Sequence, residues 1–204
     1  MPDRLRPLWD FDDLDATEHR LREQLAREPD DPRRAEVLTQ LARVEGLRGD
    51  FDACEGLLVQ AERLAGDSPA ARVRIDLERG RKLRSSGEGD ESLPLFEDAF
   101  ERACANELYW LAGDAAHMAA IAVPQKMTEW TERGLALAEA EPEAAYWAGP
   151  LLNNLGCAYA DAGEHERALD AFEGALEAYE RYGTPQHVAF ARESVAEARA
   201  ALAR

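Results

Sequence analysis

Apolar residues recur along this chain at helical spacing. In the stretch 151–180, Leu152, Leu155, Gly156 and Tyr159 stand at intervals of three, one and three. That is one stripe of a helix. Gly163 breaks the pattern, and Ala168, Phe172, Ala175 and Leu176 make a second stripe. Two amphipathic helices joined by a tight turn are predicted. The pattern also stands 76 residues earlier, twice 38, with Gly80 in the place of Gly156 and Gly87 in the place of Gly163. Ser92, Phe96 and Ala99 there replace Ala168, Phe172 and Ala175. A further 38 residues back it returns as Leu38, Leu41, Ala42, Gly49, Phe51, Cys54, Leu58 and Ala61. Three copies in one phase mark an internal repeat of helix hairpins.

A degenerate copy lies between these. Its first helix reads LYWLAGDAAHMAAIAV, with Ala119 in the small-residue slot and Met118 beside it. Pro124 opens its second helix, where Gly134 and Leu135 take the places of Ala175 and Leu176. That register calls for a turn about four residues shorter than in the other copies. The ends read as half units. Leu21, Leu25 and Pro29 are spaced like the end of a second helix, with Asp15 and Glu18 as a capping box. Val188, Ala191, Val195, Ala198 and Leu202 form a stripe that would close the array. The expected division is a frayed terminus at 1–11 and one all-α solenoid over 12–204. Within it lie a half-unit at 12–29, units at 33–66, 69–105, 107–141 and 143–183, and a capping helix at 185–203.

Composition agrees with helices. Of 204 residues 46% are hydrophobic, mostly Ala and Leu rather than Val and Ile. The net charge is -17, from 41 acidic and 24 basic residues. Such a surface repels phosphate backbones and anionic membranes, so neither nucleic acid nor membrane is expected as a partner. The three cysteines, Cys54, Cys104 and Cys157, form no CxxC. No disulfide framework or structural zinc is expected, and Cys54 and Cys157 read as buried thiols. The N-terminus lacks a signal-peptide h-region, and no apolar run reaches 18 residues. A cytoplasmic protein is expected.

The hairpin pattern resembles the tetratricopeptide repeat, a helix-turn-helix unit of about 34 residues. The segment LLNNLGCAYADAGEHERALDAFEGALEAYE carries the resemblance most fully. The longer spacing is similar to the extended repeats of kinesin light chain and of bacterial peptide-sensing regulators. The resemblance spans residues 33–183. It implies a right-handed superhelix of paired helices that holds a peptide or protein on its concave side.

In such arrays the first helix of each unit lines the groove, at positions set by the small-residue slot. Two before the slot stand Gln40, Glu78, His117 and Asn154. Three before it stand Thr39, Leu77, Ala116 and Asn153, and one after it Arg43, Arg81, Ala120 and Cys157. The resemblance implies that Asn154 meets an extended backbone, whose N–H and C=O its amide can pair with together. Asn153, about 100° round the helix, would line the neighbouring edge. Arg43 and Arg81 occupy equivalent slots in adjacent units, with Arg74 and Arg84 near the same face. Their guanidinium forks favour an acidic group, or else they pair with Glu36, Glu78 or Asp76. The family's lysine-and-asparagine clamp for a terminal carboxylate is absent, because no lining slot holds Lys.

Asp114 and His117 are three apart and lack a third metal ligand, so no cofactor or metal is expected. His165 reads as solvated surface, and Trp110, Trp130 and Trp147 as core. Phe190 lies off its stripe and is expected to be exposed. No nucleophile elbow, phosphate loop or HExxH occurs, so an enzyme is not expected. The leading reading is a scaffold for a protein or peptide. The alternative is a self-assembling module, a homodimer through the C-terminal helix.

Overall fold

A computed structural model describes residues 3–203. The described residues form ten α-helices and no strand. They are α1 (Leu14–Arg27), α2 (Asp31–Arg48), α3 (Phe51–Ala65), α4 (Pro69–Ser85) and α5 (Gly89–Ala105). Then follow α6 (Tyr109–Ala122), α7 (Met127–Ala140), α8 (Ala148–Asp161), α9 (His165–Tyr182) and α10 (Pro185–Leu202). Short 3-10 turns stand at Arg6–Leu8, Pro124–Lys126 and Ala145–Trp147. The fold is the all-α helical repeat expected of a solenoid. Contacts divide the chain into two compact units, Met1–Met118 and Ala119–Arg204.

Local chemistry sets the helix boundaries. Asp13, Asp30, Asp50, Ser68 and Thr184 each cap a helix by accepting a hydrogen bond from a backbone N–H of the first turn. Asp13 is therefore the cap of α1, in place of the capping box expected from Asp15 and Glu18. Those two carboxylates instead pair with Arg48 on α2, Glu18 at 2.6 Å. The turns close at Gly49, Gly87 and Gly163, with φ of +81°, +94° and +76°. These are one position of the repeat, and each needs a left-handed backbone that glycine adopts without strain.

In the first unit, α2 packs on α1, α3 and α4, and α4 on α3 and α5. One core cluster joins Leu21, Val37, Leu38, Leu41, Val44 and Ile75. Leu5 belongs to the same cluster and is 1% exposed. Residues 3–11, expected to fray, are thus packed against the helices. The cause lies in their own side chains, since Leu5, Leu8 and Trp9 all reach this core. In the second unit, α8 packs on α7 and α9, and α9 on α10. Ala168, Phe172, Val195 and Ala198 form one cluster there, and Ala175, Tyr179 and Ala191 another. Leu202, the last residue of the expected α10 stripe, remains 42% exposed.

The small-residue slots explain the close crossings within hairpins. A Cβ on Gly80 would lie 2.5 Å from the Phe96 ring, and one on Gly156 would lie 2.7 Å from the Phe172 ring. Only glycine admits rings at that distance.

The degenerate copy shortens differently from expectation. Its connection, 123–126, is not shorter than the others and includes a 3-10 turn at Pro124–Lys126. Both α6 and α7 are 14 residues long, against 17 or 18 for α4, α5 and α9. The missing residues come from the end of α6 and the start of α7. Pro124 forces this, because the residue before a proline is pushed out of the helical region and Val123 is extended at ψ 112°. Helix α6 is apolar nearly all round, and Leu111, Ala112, Ala115, Ala116 and Ala119 are buried.

Candidate partner-binding faces

In the first unit the expected lining residues come together on α2, α4 and α6. Glu78 and Asp114 both bond Arg81, through its two terminal nitrogens, each at 2.5 Å. Glu78 and Asp114 are buried, as is Arg74. Burial lifts the Glu78 carboxyl above the usual range despite Arg81 and Arg43. Burial acts the same way on Asp114, but there Arg81 and Arg43 prevail and hold it low. His117 is half-buried beside them, and burial pushes it down to about 4. It is neutral at pH 7.

The alternative reading of the arginines, ion pairing inside the chain, holds for two of them. Arg81 takes Glu78 and Asp114. Arg74 takes Glu36 at 3.3 Å and Asp3 at 2.6 Å. Arg43 differs. Among the described residues it has no carboxylate within ion-pair distance, and its Nε is buried without a hydrogen-bond partner. Its guanidinium instead lies 5.3 Å from the Trp9 ring centre and 5.5 Å from that of Phe11. Arg84 is exposed near the end of α4.

Sequence reasoning missed the partner of this face, which is the chain's own N-terminal segment. Asp3 reaches Arg74, and Arg4 bonds Glu28 at 2.6 Å and approaches Glu36 at 3.4 Å. The Trp9 indole N–H donates to the Gln40 side-chain oxygen at 2.9 Å. Gln40 in turn donates to Thr39, whose hydroxyl donates to the Glu36 carbonyl at 2.7 Å. Thr39 and Gln40 are therefore buried rather than open. Trp9 and Phe11 stack at 4.9 Å, and Phe11 is 46% exposed. A signal was available in Leu5, Leu8, Trp9 and Phe11, which give an otherwise charged segment an apolar side.

In the second unit, Asn153 and Asn154 sit half-buried on α8. The Asn153 side-chain oxygen is buried without a hydrogen-bond partner among the described residues. Cys157, one position past Gly156, is exposed rather than buried, while Cys54 is buried and its thiol is pushed up to about 11. A cleft of about 370 Å³ opens beside Cys157, lined by Asp161, Phe172, Phe190, Glu193 and Glu197 among others. Neither asparagine lines it. Phe190 is 53% exposed, as its place off the stripe predicts, and His165 is also exposed. Trp130 and Trp147 are buried and Trp110 half-buried. Among the described residues no three His, Cys, Asp or Glu side chains gather as a metal site, and no helix is long and apolar enough to cross a membrane.

These hairpins define the chain as a helical-repeat protein. Residues 151–182, which span α8 and α9, match the family model of the tetratricopeptide repeat. The crystal structure of BtubC (BKLC) from P. vanneervenii is similar in fold, with a TM-score of 0.63 at 17% identity. That match covers 98% of this chain and 85% of the other. No curated protein matches the chain. The α8–α9 hairpin is thus tetratricopeptide-like, and the chain as a whole has the fold of a helical repeat.

Proposed function

We propose that this protein is a non-enzymatic scaffold that binds a peptide or protein on the face built by α2, α4 and α6. Tetratricopeptide repeats generally mediate protein interactions, and function on such a fold is decided by the chemistry of the face. One observation carries the reading. The face already receives a short segment, residues 3–11, folded as a single 3-10 turn and held by the means a bound peptide would use. A guanidinium takes a carboxylate, an amide takes an indole N–H, and an apolar side chain enters the core. Arg43, which has no carboxylate within ion-pair distance among the described residues, favours a partner with an acidic group. Asn154 would extend the recognition on the second unit's own face.

The test is capture from the native host's lysate by full-length wild type and by an Arg43→Ala, Asn154→Ala variant. Arg43 is chosen over Arg81 because losing Arg81 would strand two buried carboxylates. With helicity matched, a partner held by wild type and lost by the variant supports the face. A partner held equally by both moves the site elsewhere.

Phe190 favours one second reading, self-association through α10. The residue is more than half exposed and lines the cleft. Sedimentation of wild type and Phe190→Ser would then show a dimer that the substitution dissociates.

A further inference from the structure

We propose that the α2/α4 face of the first unit recognises, in a partner, a carboxylate followed two residues on by Leu and four further on by Trp, and that the chain's own Asp3, Leu5 and Trp9 are its competing resident. This rests on the peptide-binding reading above and adds the ligand chemistry and its control.

The spacing is set by three receptors on the face. Arg74 holds the Asp3 carboxylate at 2.6 Å. The cluster of Leu38, Leu41 and Ile75 takes Leu5. Gln40 and Arg43 take Trp9, one by a hydrogen bond to the indole N–H and the other over the ring. Each receptor recognises a side chain, so a peptide with the same side chains that takes the same single 3-10 turn between Leu and Trp would satisfy them.

The resident segment can leave without unfolding an α-helix. Its regular structure is a single turn at Arg6–Leu8, and it ends where Asp13 caps α1. Thr17 and Arg20 on α1 bond its backbone at Asp10 and Leu8, so α1 holds the hinge end. Departure takes Arg4 from the buried Glu28 carboxylate, which keeps the Gln24 amide at 2.7 Å, and it leaves Arg74 paired. Arg74 retains Glu36 at 3.3 Å. Gln40 retains Thr39 at 3.3 Å. The face is therefore tolerable when open, while the tether keeps the resident at an effective concentration on the order of millimolar. A partner binds with an affinity reduced by the fraction of molecules that are open.

The experiment uses full-length protein and a fluorescein-labelled peptide with the sequence of residues 3–12, DRLRPLWDFD, read by anisotropy. Wild type should bind it weakly. Leu5→Ser and Trp9→Ala, each weakening the resident alone, should bind it about tenfold tighter or more, since about 1.4 kcal/mol taken from the resident is a factor of ten. Adding Gln40→Ala to Trp9→Ala should remove most of that gain. Helicity by circular dichroism confirms that each variant is folded, and Trp9→Ala, at a half-exposed site, serves if Leu5→Ser does not fold. Equal binding by wild type and variants would show that the segment does not occlude the face. Binding by none would show that it is not a separable ligand. Either result overturns this proposal and leaves the lysate capture to decide the groove reading separately.

Discussion

His117 is the residue on which the buried network is most exposed to pH. It lies with Asp114 on α6, and the positive charge of Arg81, Arg43 and Arg84 acts on it. Burial holds it at about 4, below the ordinary histidine value of 6.5. The unfolded chain therefore binds a proton between those values that the folded chain refuses. Stability is full above 6.5 and falls as pH drops toward 4, by up to about 1.4 kcal/mol per pH unit from this residue. Urea midpoints of wild type and His117→Gln should diverge between pH 7 and pH 5. Wild type should lose more stability than the variant, which lacks the titration. Parallel midpoints would show that His117 is not held neutral. Glu78 acts in the opposite direction, since its raised carboxyl favours the folded state as pH falls, and the comparison with the variant cancels it.

At the scale of helices, the crossings depend on where glycine stands. Gly156 sits under the Phe172 ring, and Gly56 on α3 has nothing within 4 Å of its would-be Cβ. Alanine favours a helix over glycine by about 1 kcal/mol at either position. At Gly156 that gain is outweighed by overpacking, which costs about 1–3 kcal/mol. Gly56→Ala should raise Tm by about 2–4 °C, and Gly156→Ala should lower it by a similar amount. A rise in both would mean that α8 and α9 are free to move apart. The crossings were legible in the sequence because glycine and phenylalanine repeat at fixed offsets. The path of the degenerate copy was not. A spacing of residues does not say whether a deletion shortens a turn or the helices beside it, and the geometry at Pro124 decides that.

Across the whole molecule the acidic surplus dominates. A net charge of -17 over 204 residues is self-repelling. Salt screens that repulsion at about 10 Å in 0.1 M, while the buried pairs of Arg74 and Arg81 are screened much less. Tm should therefore rise by a few degrees between about 20 and 300 mM NaCl, near neutral pH. A fall would mean that the exposed ion pairs, such as Arg22 with Glu18, outweigh the net charge.

The sequence by itself determined the helices, their turns at Gly49, Gly87 and Gly163, the hairpin repeat and the residues that would line its first helices. Those follow from periods of a few residues and from backbone preferences, which act locally. It also placed Arg43, Arg74 and Arg81 on one face. Only the tertiary structure decided what that face holds. Asp3 and Arg74 are 71 residues apart, and Trp9 and Gln40 are 31 apart. No period connects such pairs. They meet because stacked hairpins bring α2 and α4 side by side, leaving an apolar strip edged by Arg43 and Arg74 that residues 3–11 cover.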